Sequence, residues 1–193
     1  MYKFVFKRII DIAFSFVMLI LVLPIFLLVA ILIKINSKGP IFYTQKRLGK
    51  EGIIFKLIKF RTMTHKHREA HHQVYEGDPE VTYIGKFLRR YKIDELPQLF
   101  NVLKGDMSLV GPRPCLPELI NKFNDDAFYR LKVRPGLTGL SQINGNIYLT
   151  WPQRWDYDKF YVVNLSFLLD LKIILKTIFV IFGGEQKFLN KRK

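Results

Sequence analysis

The longest apolar stretch of the chain lies near its N-terminus. Residues 12–33 are apolar except for Ser15 and Pro24, and as an α-helix they would cover the roughly 30 Å of hydrocarbon in a bilayer. A secretory signal peptide also combines a basic start with an apolar stretch, but this stretch is long and has no small-residue cleavage site near its end. The pattern therefore predicts a membrane-embedded helix.

Cations flank the apolar stretch on both sides, so the positive-inside rule gives it no orientation. They are Lys3, Lys7 and Arg8 before it, and Lys34, Lys38, Lys46 and Arg47 after it. Pro24 lies near the middle, where its missing N–H and its ring kink or break a helix. A re-entrant helix, which bends at Pro24 and returns to the cytoplasmic face, agrees with both observations. A spanning helix stays open, because such helices tolerate proline.

Strand and turn patterns follow the membrane segment. Two strand-like runs rich in Phe, Tyr and Ile occupy residues 41–63 and flank Gly49-Lys50-Glu51-Gly52. This arrangement predicts a β-hairpin. Later in the chain, Pro135-Gly136 fits the centre of a type II turn.

The polar residues 64–79 predict a loop or a short exposed helix. Four histidines lie in this segment: His65, His67, His71 and His72. Two of them, His67 and His71, are four positions apart and would share a helical face, but no HExxH pattern or cysteine partner accompanies them. A solvated loop is therefore preferred to a metal site.

Two apolar stripes at helical spacing surround a pair of carboxylates. The first stripe is Ile84, Phe87, Leu88 and Tyr91, and the second is Leu96, Leu99, Phe100 and Leu103. They predict a basic amphipathic helix, and then a second helix that ends at Lys104-Gly105. Asp94 would be the N-cap of the second helix, with Glu95 and Pro97 in its first turn, where proline is allowed.

The Asp94-Glu95 pair could be only a helix cap, but its position also suits phosphate chemistry. The N-terminus of a helix carries partial positive charge and free N–H groups, which keep a carboxylate ionised and attract phosphate. A carboxylate attacks an anionic phosphoryl group only where that charge is offset, so such a site should gather cations and Mg²⁺. The candidate cations are Lys59, Arg61, Arg89 and Arg113.

Arg113 is predicted to have a stiff backbone. It lies between Pro112 and Pro114, and the following proline biases it toward an extended conformation. A guanidinium presented in this way suits bidentate binding of phosphate. A structural loop that carries a surface arginine is the alternative.

A second apolar stretch, residues 160–182, carries charges that argue against a second spanning helix. The charged residues are Asp170, Lys172 and Lys176. They suit a helix that lies at the membrane interface and supports the first segment. Just before this stretch, Asp156 and Asp158 form a DxD pattern like the metal motif of sugar-nucleotide enzymes, although the pattern is short and common.

Composition limits the partners and the compartment. The 193 residues carry a formal net charge of +15, which favours nucleic acid, acidic phospholipid or phosphate-bearing substrates. With 49% hydrophobic and 15% aromatic residues the chain can build one domain with a sizeable core, so disorder is excluded. The single cysteine, Cys115, excludes an internal disulfide and indicates a reducing compartment, and we regard it as structural.

Five motifs resemble, in this order, the bacterial sugar transferases known as monotopic phosphoglycosyl transferases. They are KFRTM (59–63), DELPQL (94–99), GDMSLVGPRP (105–114), RPGLTG with QING (134–145) and WDYDKFYVVNLSFLLDLKIILKTI (155–178). The match covers essentially the whole chain. Several motifs in a fixed order are far more specific than any one of them.

The resemblance implies a re-entrant membrane helix that breaks at Pro24 and a catalytic dyad, Asp94 and Glu95, that also binds Mg²⁺. It implies a nucleotide-diphosphate sugar donor and a polyprenyl-phosphate acceptor. Within the DxD pattern it makes Asp158 the better functional candidate, and it adds Gln142 of the QING motif.

The sequence departs from the family pattern at two places. Leu23 stands where close members often have serine before the central proline. Asn146-Ile147-Tyr148 follows the QING motif, where members usually carry an arginine close by. The identity of the sugar therefore cannot be copied from the family.

The expected fold is α+β and helix-rich, with a small β-hairpin and amphipathic interfacial helices. Residues 1–36 would form the re-entrant helix and residues 37–193 the catalytic domain, as one structural unit. We expect the protein on the cytoplasmic face of the bacterial inner membrane, against anionic phospholipid, with no nucleic-acid partner. A homo-oligomer is left open.

The expected reaction is a two-step phosphoryl transfer. Asp94 attacks the β-phosphorus of a UDP-sugar, UMP leaves, and polyprenyl phosphate takes the phosphosugar from the carboxylate. Glu95 positions Mg²⁺ or accepts a proton, and Lys59, Arg89 and Arg113 offset charge on the phosphates.

Two alternative functions remain at this stage. A metal-dependent glycosyltransferase would use Asp156 and Asp158 and release UDP. A membrane-anchored nucleic-acid binder would suit the positive charge, but no helix-turn-helix, RRM or zinc module is recognisable.

Overall fold

The computed structural model describes residues 2–64, 78–184 and 187. All four histidines, and with them the predicted loop and its metal-site alternative, lie outside the described residues. The elements in chain order are α1 (Lys7–Asn36), β1 (Phe42–Leu48), β2 (Ile54–Phe60), α2 (Tyr83–Arg90), α3 (Gln98–Lys104), β3 (Ser108–Val110), α4 (Asp125–Phe128), β4 (Gly136–Thr138), α5 (Trp151–Val163) and α6 (Phe167–Gly183). The helix-rich α+β class is confirmed.

The N-terminal helix α1 has 30 residues and contains Pro24 in its interior. Among the described residues it is the one helix whose length and composition would allow it to cross a membrane. It extends about 45 Å at 1.5 Å per residue. The helix continues through Pro24 although proline disfavours a helix interior. The predicted apolar helix is confirmed.

One face of α1 packs on the rest of the protein along its whole length. Its buried residues are Lys7, Asp11, Ser15, Val22, Phe26, Val29 and Ile33, which recur at helical spacing and form a single stripe. The ring of Phe26 makes edge contacts with Phe60 of β2 and Phe100 of α3, with centroids 5.0 and 6.1 Å apart. The opposite face exposes large apolar side chains, including Leu21, Leu23, Leu27, Leu28 and Ile31. That face has no partner among the described residues.

Both ends of α1 are attached to the same body of protein. At its start, Lys7 Nζ lies 2.7 Å from Asp170 Oδ2 of α6. Arg8 donates hydrogen bonds to two carbonyls at the end of α3, over 2.7 and 3.0 Å. At the other end, the guanidinium of Arg61 donates to the carbonyls of the two residues that follow α1. The helix is therefore an integral layer of the fold.

The predicted β-hairpin is confirmed. Strands β1 and β2 pair antiparallel from Phe42↔Phe60 to Leu48↔Ile54, and a tight turn at Lys50–Gly52 joins them. Helix α3 packs on β2, where the Asn101 side chain accepts from the Ile58 N–H at 3.0 Å and donates to the Lys56 carbonyl at 2.8 Å. The hairpin thereby holds Lys59, near the end of β2, beside the turn that precedes α3.

A second, two-stranded parallel sheet joins β3 to β4, with Ser108 opposite Gly136 and Val110 opposite Thr138. The type II turn predicted at Pro135-Gly136 is wrong, because Gly136 begins β4 and does not adopt a positive φ. Glycine is needed there for close approach: a Cβ on Gly136 would lie 2.1 Å from the backbone nitrogen of Gly111. This contact ties β4 to the loop that carries Arg113.

Helix α6 has two faces, as the sequence predicts. Its inner face buries Asp170, Ile173 and Val180, while its outer face exposes large apolar side chains, including Leu168, Leu175, Phe179 and Phe182. Asp170 supports the start of α1 through Lys7. The support of the first segment by this helix is confirmed.

Candidate active site

Asp94 and Glu95 lie in a short 3₁₀ turn between α2 and α3. The predicted N-cap role of Asp94 is wrong, because α3 begins four residues later, at Gln98, and its N-cap is Pro97. Lys92, two residues after the end of α2, has a left-handed backbone conformation (φ 58°). This conformation turns the following residues inward. Both carboxylates are buried, each with 7% of its residue surface exposed.

Both oxygens of Glu95 are bound by cations. Lys59 Nζ and Arg113 Nη2 each lie 2.7 Å from Oε1, and Arg113 Nη1 lies 3.3 Å from Oε2. Burial alone would raise the pKa of Glu95, but Arg113 and Lys59 together hold that pKa well below its usual range. Glu95 is therefore an ionised anchor that holds two cations beside its neighbour.

Asp94 has a different environment. Within the described residues its Oδ1 is buried and has no hydrogen-bond partner. Burial raises the pKa of Asp94, against the lowering charge of Lys59, and the charge of Glu95 raises it further. A buried carboxylate oxygen without a partner is costly for folding. Such an oxygen is available to a cation or to an electrophilic phosphorus.

The four predicted phosphate-binding cations have different positions. Lys59 and Arg113 meet at Glu95, as described above. Arg89 lies close enough for its charge to act on Asp94, while its Nε donates to Thr62 Oγ1 at 2.8 Å. Arg61 is directed away from the pair, because its guanidinium binds backbone carbonyls at the end of α1. We therefore assign Arg61 to the anchoring of α1 and exclude it from the site.

Sequence reasoning missed Lys92 as a member of the site. Its charge acts on both Asp94 and Glu95 and lowers the pKa of each. The signal was its position two residues before the carboxylate pair. The helical pattern predicts that Lys92 lies on the basic face of the first amphipathic helix, whereas the structure places it in the turn that leads into the dyad.

Asp156 and Asp158 do not form a joint metal site. Asp156 is exposed, whereas Asp158 is 1% exposed and faces the interior of the protein. There Asp158 lies 3.4 Å from Arg130 Nη2 and accepts a hydrogen bond from Ser141 Oγ at 3.3 Å. Gln142 binds the Leu137 carbonyl at 3.0 Å through Nε2. In the part of the chain that is described, no three His, Cys, Asp or Glu side chains gather as metal ligands.

Comparison with known proteins identifies the class of this chain. The family model described as "Bacterial sugar transferase" matches residues 2–184. The chain belongs to the bacterial sugar transferase family, and it is an enzyme of the phosphoglycosyl transferase type.

Three relatives show how far the similarity extends. The exopolysaccharide production protein ExoY of Rhizobium meliloti is 39% identical over 188 residues, which cover 89% of this chain and 83% of the relative. The UDP-glucose:undecaprenyl-phosphate glucose-1-phosphate transferase of Klebsiella pneumoniae is 43% identical over 196 residues, or 97% of this chain and 41% of the relative. The undecaprenyl-phosphate galactose phosphotransferase of Salmonella typhimurium is 36% identical over 196 residues, or 93% of this chain and 41% of the relative.

Proposed function

We propose that the protein transfers a sugar-1-phosphate from a UDP-sugar to a polyprenyl phosphate at the membrane and releases UMP. The observation that carries the proposal is the asymmetry of the dyad. Glu95 is saturated by Lys59 and Arg113, whereas Asp94 keeps a buried oxygen without a partner among the described residues. The names of the relatives, which act on undecaprenyl phosphate, support the acceptor.

The reaction takes place in two displacements at one phosphorus. An oxygen of Asp94 attacks the β-phosphorus of the donor, the bond from that phosphorus to the UMP oxygen breaks, and UMP leaves with the electron pair. The phosphosugar is then held as an acyl phosphate. A phosphate oxygen of the polyprenyl acceptor attacks the same phosphorus, the Asp94 carboxylate is released, and a polyprenyl-diphosphate sugar is the product.

The surrounding charges fit these steps. Lys59, Arg113 and Arg89 supply positive charge that offsets the phosphates as the anionic carboxylate approaches. Glu95 keeps its cations in place through the contacts described above. Its low pKa makes it a poor proton acceptor, so between the two roles that the sequence left open we choose positioning.

Of the two predicted Mg²⁺ ligands, Asp94 fits the ion. Mg²⁺ is commonly bound by one or two protein carboxylates together with substrate phosphates, and the partnerless oxygen of Asp94 supplies one such ligand. Glu95 does not fit, because Lys59 and Arg113 already bind both of its oxygens. Asp94 would hold the ion, which when bound offsets negative charge on the diphosphate of the donor.

We place α1 in the cytoplasmic leaflet of the inner membrane as a re-entrant helix. Its outer face is apolar, its two ends carry cations, and both ends are attached to the same body of protein. The exposed apolar face of α6 would lie at the same membrane surface. This position brings the dyad to the leaflet from which a polyprenyl phosphate arrives.

The topology can be tested with single cysteines in a Cys115→Ser background. Cysteine at Lys3 reports the start of the chain, and cysteine at Lys104, whose side chain is 72% exposed, reports the catalytic domain. Both should resist an impermeant thiol reagent in intact cells and react after permeabilisation. Labelling of the Lys3 site alone in intact cells would show a spanning helix.

The covalent intermediate gives the sharpest test of the reaction. Enzyme mixed with a UDP-sugar and Mg²⁺ alone should release up to one UMP per active site, because UMP leaves before the acceptor reacts. Intact-protein mass spectrometry should show a species heavier by one phosphosugar, and peptide mapping should place it on Asp94. Addition of polyprenyl phosphate should remove the adduct.

The matched control is Asp94→Asn, in which the adduct should be absent. Release of UDP in place of UMP would favour a glycosyltransferase. UMP release that requires the acceptor, with no adduct after rapid quenching, would indicate direct transfer in a ternary complex. A panel of UDP-sugars in the same assay identifies the donor, since the names of the relatives include both glucose and galactose.

A further inference from the structure

The loop that carries Arg113 has an unusual set of backbone contacts. Four consecutive carbonyls, those of residues 112–115, each accept a hydrogen bond. The donors, in order, are the Gly136 N–H, the guanidinium of Arg130, the guanidinium of Arg47 and the Leu48 N–H. Two of the four donors are therefore arginine side chains, one from β1 and one from the turn after α4.

Arg130 is buried, with 6% of its surface exposed, and the same Nη2 that donates to the Arg113 carbonyl lies 3.4 Å from Asp158. Its second terminal nitrogen, Nη1, makes no hydrogen bond within the described residues. Burying a cation with an unsatisfied donor costs stability. This cost in stability suggests that the role of Arg130 lies in the loop that it contacts.

Arg47 also donates a hydrogen bond to a backbone carbonyl of this loop. Its Nη1 donates to the Pro114 carbonyl at 3.2 Å, and its Nη2 is held by Gln45 Oε1 at 2.6 Å. The position is electrostatically unfavourable, because burial lowers the pKa of Arg47 and the charge of Arg113 lowers it further. Three arginines therefore lie around one short loop although their charges repel one another.

We propose that Arg130 and Arg47, with Asp158 as the counter-charge of Arg130, are positioning residues that hold the backbone of the Arg113 loop. Arg130 Nη2 fixes the carbonyl of Arg113 and Arg47 Nη1 fixes the carbonyl of Pro114, so the Arg113 side chain is presented to Glu95 and to the donor diphosphate in one geometry. The inference rests on the proposed function, because it assigns Arg113 to the phosphates of the donor. It also gives Asp158, which contacts Arg130 and lies away from the dyad, a role that needs no metal.

The experiment is a double-mutant cycle between Arg130 and Arg113. Arg130→Lys keeps the charge but loses the guanidinium that contacts both the Arg113 carbonyl and Asp158. Arg113→Ala removes the side chain that Arg130 is proposed to position. We expect Arg130→Lys to lower kcat at least tenfold with a smaller change in the KM for the donor. In the Arg113→Ala background the same change should lower kcat less than twofold, because its target is already absent. Radiolabelled donor keeps thousandfold losses measurable.

Two further variants complete the design. Asp158→Asn, which removes the counter-charge with little change of shape, should reproduce the kcat effect of Arg130→Lys and its dependence on Arg113. Arg134→Lys is the matched control: Arg134 also donates to a backbone carbonyl, that of Gly105 at 2.8 Å, but lies on the surface. It should leave kcat unchanged. Thermal unfolding of every variant shows which of them fold.

The outcomes separate this inference from the proposed function. If the wild-type enzyme releases no UMP in the assay, the proposed function fails. If the wild type is active but Arg130→Lys and Asp158→Asn lower kcat equally in both backgrounds, or lower it only as far as they lower the melting temperature, Arg130 and Asp158 are structural and the positioning role is overturned.

Discussion

Asp94→Asn is expected to abolish sugar-phosphate transfer and to raise the free energy of unfolding at neutral pH. Removing the attacking oxygen should lower turnover by roughly a thousandfold or more. The stability gain has a separate cause. Because burial raises the pKa of Asp94 in the folded protein, ionisation of this group at neutral pH opposes folding, and the neutral amide removes that cost. As the pH falls through the folded-state pKa, the wild type is neutralised as well and the gain should disappear.

The measurements are UMP release and equilibrium unfolding in denaturant at neutral and acidic pH. An Asp94→Asn enzyme that folds and keeps more than a few per cent of wild-type turnover would show that this carboxylate is not the nucleophile. A loss of stability at neutral pH would contradict the buried, partnerless environment of Oδ1.

Glu95→Gln makes the same chemical change one residue later and should have the opposite effect on stability. The amide leaves Lys59 and Arg113 without their shared counter-charge, and removing one partner of a buried ion pair is strongly destabilising. Because both cations are partly exposed, at 21% and 33% of their side-chain surface, we expect a smaller loss, roughly 2–4 kcal/mol. Transfer should also fall severely, because the two cations lose their fixed positions.

The pH profile provides a second readout for Glu95→Gln. Burial lowers the pKa of Lys59, and Glu95 is the largest charge that opposes this shift. Without Glu95 the Lys59 pKa should fall further, so residual activity should decline at a lower alkaline pH than in the wild type. A variant with wild-type stability and an unchanged alkaline limb would contradict the anchor role, and Asp94→Asn serves as the matched control for the stability readout.

Much of the fold is encoded in local patterns and could be predicted. The apolar stretch 12–33 and the two runs around Gly49-Lys50-Glu51-Gly52 have clear periods, and they form α1 and the β-hairpin. The parallel pairing of β3 with β4 was missed, because each strand has three residues and their partners are distant in the sequence. The close approach of Gly136 to Gly111 explains that glycine better than a turn does.

The site was predicted in its members but not in its geometry. Residue type and neighbouring charge single out Asp94, Glu95, Lys59 and Arg113, and no pattern in the sequence says that both cations bind the second carboxylate. Arg61 has the same local sequence signals as Lys59 but faces the other way. Residues two apart share a face only while the strand continues, and β2 ends at Phe60. Such differences depend on tertiary packing.

The ion pair between Lys7 and Asp170 has a consequence for how the protein is made. Its partners are separated by 163 positions, so at typical bacterial synthesis rates Lys7 leaves the ribosome roughly 10–30 s before Asp170. During that interval Lys7 has no Asp170 to pair with, although α3, on which the inner stripe of α1 packs, has already been made. In the proposed membrane position of α1, its exposed apolar face would enter the bilayer before Asp170 is synthesised. We therefore expect insertion of α1 to precede completion of the catalytic domain.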